Sequence, residues 1–182
     1  MRALVRPPAL LLACLLLLLH SRAHAGERES LKKLPGFYVT STQSLGFPKG
    51  LEMRFSPEAI KDLEAKSRDD MTRIVEVELR KAGIRVFTKA EYDSIPTVPA
   101  LVLDEVTIVD ESVTMHTSSS LNVRQMARLP ANGETTEVTT WSRTILTVLG
   151  SDTAQRTRGT VTAVQGMVEE FVNDYLAMNP KK

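Results

Sequence analysis

The chain has 182 residues, 25% of them charged, and its 23 basic and 22 acidic side chains nearly cancel. A near-neutral chain with interleaved signs lacks the basic stripe that binding to a phosphate backbone requires, so we expect no nucleic-acid partner. Cys14 is the only cysteine, which excludes an intramolecular disulfide and a zinc site built from several thiolates.

The first 25 residues have the pattern of a secretory signal peptide. Two arginines precede an apolar run over 9–19, and the segment closes on Ala23-His24-Ala25. A positive first region, an apolar stretch of roughly 7–15 residues and small residues before the cleavage site are the features of such a signal. We predict cleavage between Ala25 and Gly26 and a periplasmic or secreted mature protein.

A lipoprotein signal is the main alternative, because Leu11-Leu12-Ala13-Cys14 places a small residue before a cysteine. Cleavage before Cys14 would leave the apolar residues 15–19 on the mature protein, whereas a lipobox normally closes the apolar run. A retained anchor is also disfavoured, since the uninterrupted run falls short of the roughly 20 residues that span a bilayer. The mature chain contains no transmembrane segment by the same criterion, and the sequence does not indicate its oligomeric state.

The mature chain is predicted to form one domain. Residues 26–35 are charged and end in Pro35-Gly36, which indicates a flexible leader. Residues 36–179 have the length of a single domain with its own core, and 180–182 form a tail. Three basic residues leave with the signal, so the mature protein has 20 basic and 22 acidic residues and a net charge of −2.

The first half of the domain is predicted to contain a strand and helical segments. Aromatic and β-branched residues favour a strand over 36–42, and Gly46, Pro48 and Gly50 indicate a loop. Cap residues predict two helix starts, at Ser56 and Ser67. The second start precedes a stripe of apolar residues on one helix side, ended by a glycine suited to a C-cap: Met71, Ile74, Val75, Leu79, Ala82 and Gly83.

The second half is predicted to be mostly strands. A short strand over 84–88 leads to a capping box at Thr88 and Glu91, and the Leu-, Val- and Ile-rich segment 100–110 is expected to be a central strand. Alternating polarity predicts long strands over 113–129 and 135–149, joined at an Asn-Gly turn, and an amphipathic helix follows over 151–178. The fold class is therefore α+β: a mainly antiparallel sheet of four to five strands, with two main helices packed on one face.

No catalytic, metal or cofactor site is predicted. His116 is the one histidine of the mature chain, and strand neighbours such as Ser118 lie roughly 6.5–7 Å away along the backbone, too far for direct activation. Acidic pairs such as Asp104-Glu105 are interpreted as solvated strand ends and helix faces, and no phosphate-binding loop is present. We therefore expect a protein that is not an enzyme.

Three residues are predicted as binding anchors: Arg124, Trp141 and Arg143, on the polar face of the two long strands. An aromatic ring beside a guanidinium is a common anchor at interfaces, and residues 141 and 143 face the same way on one strand. The alternative is that Trp141 packs under a helix edge while Arg143 reaches solvent.

Several segments resemble a group of small secreted bacterial proteins of uncharacterised function: Leu34–Val39, Glu78–Ile84, Thr140–Ser142 and Phe171–Pro180. The resemblance covers most of the mature chain and transfers no catalytic motif. The element order is also similar to small envelope domains such as the lipopolysaccharide-transport lipoprotein and the amino-terminal domain of the Tol propeller protein, which act by binding partners.

These observations lead to three hypotheses on function. The first is a non-enzymatic binding or accessory protein of the cell envelope, whose partner is an envelope protein or a lipid component. The second is a carrier of a small ligand or lipid between sheet and helices. The third is an unrecognised hydrolase that uses His116 and a nearby serine.

Overall fold

A computed structural model describes residues 26–46, 57–109, 114–149 and 153–180. The predicted signal peptide with Cys14, its cleavage site before Gly26 and most of the predicted loop after Gly46 therefore lie outside the described residues.

The described chain opens with a helical turn at 26–29 and continues with strands and helices. The strands are β1 Phe37–Gly46, β2 Val86–Phe87, β3 Ala100–Val109, β4 Met115–Arg128 and β5 Thr135–Leu149. The helices are α1 Pro57–Lys81 between β1 and β2, α2 Lys89–Ser94 between β2 and β3, and α3 Thr153–Met178 after β5.

Helix α1 is a single helix where the sequence predicted a second start at Ser67. No glycine or proline interrupts 58–81, and a serine inside a helix costs only a fraction of 1 kcal/mol relative to alanine, so the second cap signal is overridden. The helix ends as predicted at Gly83, whose φ is 76°, and the amide of Ile84 donates to the carbonyl of Leu79 at 2.9 Å, closing the carboxyl end.

The sheet has the order β2-β1-β3-β4-β5, which confirms the predicted α+β class and places β3 at the centre. β1 runs parallel to both β2 and β3, whereas β3, β4 and β5 pair antiparallel. The sheet is therefore mixed. An alternating pattern of polar and apolar residues does not show whether neighbouring strands run parallel or antiparallel. The parallel pairs are possible because α1 and α2 supply the crossover connections that parallel strands require.

The core lies between one face of the sheet and the two long helices. Alternate strand residues contribute to it with a stripe from each helix, and aromatic rings fill its centre: Phe171 lies 5.1 Å from Phe37 and 5.0 Å from Trp141 between ring centroids. Fully buried members of this cluster include Phe37, Leu101, Leu103, Leu121, Val123, Trp141, Val75, Leu79, Val164, Val168 and Phe171. No helix in the described part of the chain combines the length and apolar character that crossing a membrane demands.

The segment 26–35 differs from the predicted flexible leader. Leu31 is fully buried in the core cluster, and its carbonyl accepts a hydrogen bond from the side chain of Asn179 at 2.9 Å. The hydroxyl of Tyr175 donates to the carbonyl of Leu34 at 2.7 Å. Charged composition suggested solvation, but these residues have partners on α3, so the segment packs as part of the domain. We call it the strap.

Candidate functional site

Trp141, predicted as a binding anchor, is a core residue. Its side chain is fully buried, its ring packs edge-on against Phe171, and its indole N–H donates to a carboxylate oxygen of Asp174 at 3.1 Å. The prediction that Trp141 contacts a partner on the polar face is therefore wrong. The alternative, in which it packs beneath a helix, is correct.

Arg143 lies on the same helix-covered side and does not belong to a free polar face either. Its guanidinium lies 4.9 Å from the centre of the Trp141 ring, and it bridges Glu27 of the strap, at 2.9 Å, and Glu170 of α3. Only 13% of the side chain is exposed. Arg143 thus ties the strap to α3, which corrects both its predicted binding role and its predicted reach into solvent.

The three predicted anchors lie on opposite faces of the sheet. Trp141 pairs with Val123 of β4, which is fully buried on the side of the two long helices, and Arg143 shares the face of Trp141. Successive residues of a strand point to opposite faces, so Arg124, which follows Val123, faces away from the long helices. A β-bulge in β5 shifts the register after Val123, and it changes the facing of the β5 residues before Trp141 rather than that of Arg124.

Arg124 belongs to the sheet face opposite the two long helices, which we call the open face; the short helix α2 packs at one end of it. There its guanidinium donates to Asp104 at 2.9 Å. The same carboxylate accepts hydrogen bonds from Thr42 at 2.6 Å and from Asn122 at 2.9 Å, and Ser142 donates to the Asn122 side chain at 2.6 Å. These five residues form a polar ladder across β1, β3, β4 and β5. Their hydrogen bonds hold the side chains in fixed orientations in the unbound protein.

An apolar patch lies beside the polar ladder, towards the other end of the open face. Its members are Val106 and Ile108 on β3 and Leu146 and Val148 on β5, with 49%, 55%, 70% and 60% of their surface exposed. They flank β4 in register, at Ser118 and His116. Single exposed apolar residues are common on protein surfaces, but four of them on one face, in two pairs on either side of β4, indicate an interaction surface.

A cleft of about 260 Å³ lies at the opposite end of the open face. Arg124 and Glu137 stand at its polar side, 3.9 Å apart, and the exposed Met126 contributes apolar surface. The segment after α2 forms the facing wall. The full lining is Tyr92, Ile95, Pro96, Val98, Arg124, Met126 and Glu137.

Helix α2 holds the wall of this cleft in place. The predicted capping box is confirmed: the Thr88 side chain accepts from the amide of Glu91, and the Glu91 side chain accepts from the amide of Thr88. The Thr88 backbone N–H, helped by Arg85, lowers the pKa of Glu91 below its ordinary value. Tyr92 of α2 then stacks on Tyr38 of β1 at 4.5 Å between ring centroids, which fixes α2 against the sheet.

Glu105 is a buried carboxyl that the sequence interpretation missed. The acidic pair with Asp104 predicts a solvated side chain, yet only 4% of Glu105 is exposed, because it follows Leu101 and Leu103 on the helix-covered side of β3. Ser119 donates to it at 3.0 Å, and burial raises its pKa above the ordinary value. Strict alternation from Leu101 onward was the signal that could have placed it inside.

The hydrolase hypothesis gains no geometric support from the described residues. His116 lies in β4 between Ile108 and Val148, and the hydroxyl of Ser120 is hydrogen-bonded to Thr144 at 2.8 Å. Within the described ranges, no three His, Cys, Asp or Glu side chains are grouped so that they could hold a metal ion.

The chain matches no protein-family model, and no curated protein matches it. The resemblance to small secreted proteins and the architectural similarity to envelope domains thus remain predictions. Function is inferred from the geometry of the open face.

Proposed function

We propose that this protein is a non-enzymatic binding or accessory protein of the cell envelope, exported by its signal peptide, whose open face docks a partner protein. The observation that carries the proposal is the position of the apolar patch next to the polar ladder on the open face, opposite the two long helices. Protein interfaces combine these two elements, an apolar centre that loses its water and ordered polar groups at its rim.

Arg124 is the anchor that we retain from the sequence prediction. Its side chain is 35% exposed, and Asp104 holds its guanidinium in place at 2.9 Å. An arginine that is already oriented loses little side-chain entropy on binding, and arginines are enriched among residues that dominate interface energies. The neighbouring cleft has the size to receive one apolar side chain of the partner against Met126.

The carrier hypothesis is disfavoured by the packing between sheet and helices. In the described residues, the centre of that layer is filled by the contacting rings of Phe37, Trp141 and Phe171. An acyl chain would have to displace them, and inserting extra methylene groups into a well-packed core typically costs about 1–3 kcal/mol. A partner on the open face requires no such rearrangement.

A crosslinking pulldown from the envelope with two matched variants tests the proposal. Val106→Lys places a charge in the apolar patch, whereas Val77→Lys places the same charge at a valine of α1 with 39% exposure. We expect Val106→Lys to lose the partners that the wild-type protein recovers, and Val77→Lys to retain them, while both variants keep the wild-type circular dichroism spectrum.

Equal recovery of the same partners by the folded Val106→Lys variant would overturn the proposal. Native mass spectrometry of the protein purified from the envelope supplies a second criterion. Copurification of acyl chains in stoichiometric amounts would favour the carrier hypothesis instead.

A further inference from the structure

Strand β5 forms one edge of the sheet. In the described part of the chain it pairs with β4 alone, so the backbone groups on its outer side have no strand partner. The opposite edge, β2, has two residues, whereas β5 has 15. A long edge is a template for pairing with another chain, and natural proteins normally shield it with charges, prolines or a covering segment.

The first half of β5 carries such protection. The hydroxyl of Ser30 in the strap donates to the carbonyl of Thr140 at 3.0 Å, and Glu27 of the strap pairs with Arg143. Glu137 adds a further charge, and the β-bulge next to Thr140 distorts the edge. Pairing with another strand is therefore disfavoured over 135–143.

Among the described contacts, the second half of β5 has no covering segment, charged side chain or bulge of this kind. Its sequence is Thr144-Ile145-Leu146-Thr147-Val148-Leu149, six residues of high β propensity with no charge, glycine or proline. Segments of this kind associate with identical copies of themselves, because no charge opposes the pairing and apolar side chains of the two copies meet. Leu146 and Val148 are also the most exposed members of the apolar patch, so the patch is concentrated at the edge.

We propose that the occupant of this edge is a second copy of the chain. The two β5 strands pair antiparallel over 145–149, with the two-fold axis at Thr147. This register places Leu146 opposite Val148 of the other copy, and the same contact recurs by symmetry, as in any isologous interface. The proposal goes beyond the docking function and does not depend on it.

The dimer joins two sheets into one and places the two apolar patches side by side. Together the two patches form one apolar surface across the two-fold axis, from Val106 and Ile108 of one copy to the same residues of the other. The polar ladders stay at the outer ends of the joined open face, because they lie at Ser142 and beyond, away from the paired segment.

Sedimentation velocity over a concentration series is the first test. We expect the wild-type protein to dimerise at high micromolar concentration and Leu146→Lys to remain monomeric. Val77→Lys, which puts the same charge on a surface remote from β5, should dimerise as the wild type does. A wild-type protein that is monomeric throughout, or a Leu146→Lys variant that dimerises equally well, overturns the proposal.

Disulfide trapping tests the register and remains informative if Leu146→Lys does not fold. In a Cys14→Ser background, a single Thr147→Cys substitution places one thiol from each copy at the two-fold axis. Under mild oxidation we expect a covalent dimer from Thr147→Cys and none from Thr136→Cys, near the start of β5. Crosslinking at 136 in preference to 147, or at neither position, contradicts the pairing.

Discussion

The indole N–H of Trp141 donates to a carboxylate oxygen of Asp174 at 3.1 Å, and both side chains are buried. The other oxygen of Asp174 pairs with Arg28 of the strap at 2.7 Å. One carboxylate thus connects the core tryptophan of β5, helix α3 and the amino-terminal segment. This connection explains why the residues after the predicted cleavage site are part of the folded domain.

Replacing Asp174 tests this connection. Asp174→Ala leaves the buried N–H of Trp141 without its acceptor and removes the partner of Arg28, so we expect a loss of about 3 kcal/mol in the free energy of unfolding. The exposed neighbour Asn173→Ala is the control and should change stability by less than about 0.5 kcal/mol. Urea denaturation followed by tryptophan fluorescence measures both; equal stabilities would show that the hydrogen bond contributes nothing.

The strap contributes its own share of the core. Leu31→Ala removes a fully buried side chain and should destabilise the protein by about 2–5 kcal/mol, whereas the adjacent, exposed Lys32→Ala should be nearly neutral. Limited proteolysis provides an independent readout, because a strap detached from α3 would be cleaved early. If the Leu31 variant were as stable as the Lys32 variant, the strap would not be part of the cooperative domain.

Glu105 is expected to make stability depend on pH. Burial raises the pKa of its carboxyl from the ordinary 4.5, so the folded state favours the protonated form. The unfolded protein ionises first as pH rises, and the resulting destabilisation grows between the unfolded and folded pKa values and is constant above the latter. Glu105→Gln removes this titration.

We therefore expect Glu105→Gln to be more stable than the wild type at pH 7, with the advantage disappearing below about pH 4.5. Thermal unfolding across this range measures the difference, and Glu169→Gln on the exposed side of α3 controls for the loss of one carboxylate. A Glu105→Gln variant that is less stable than wild type at neutral pH would contradict the assignment of a costly buried charge.

Export is expected to produce a mature amino terminus at Gly26. The apolar run, its flanking arginines and the small residues before the site are the physical basis. Intact-mass measurement of the protein from the periplasm or medium tests whether the amino terminus is at Gly26. A diacylated species that begins at Cys14 would contradict the cleavage and anchor the protein to a membrane.

Local signals allowed much of the fold to be predicted. The capping box at Thr88 and Glu91 and the Gly83 helix end depend on neighbouring residues, and the structure has both. The observed bounds of β5, Thr135–Leu149, coincide with the alternating segment. Each of these features is determined within a few residues of chain, so the sequence contains the information.

Features that depend on distant contacts were not predictable in this way. The parallel pairing of β1 with β3 joins segments about 60 residues apart, and the strap is ordered by partners on α3 at the far end of the chain. The candidate site failed because Trp141 and Arg143 face the helix-covered side of the sheet, opposite Arg124, and the polarity pattern of β5 does not show which of its faces the helices cover. The sequence does not show that charged side chains such as Arg28 form ion pairs with residues far along the chain, such as Asp174.

Site-specific photocrosslinking in the living envelope tests the docking role of the open face most directly. A photoreactive residue at Ile108, within the apolar patch, should yield a discrete adduct with a partner protein, and one at Val77 on α1 should not. An adduct of the same partner from position 77, or none from position 108 in a protein that folds and is exported normally, would contradict that role.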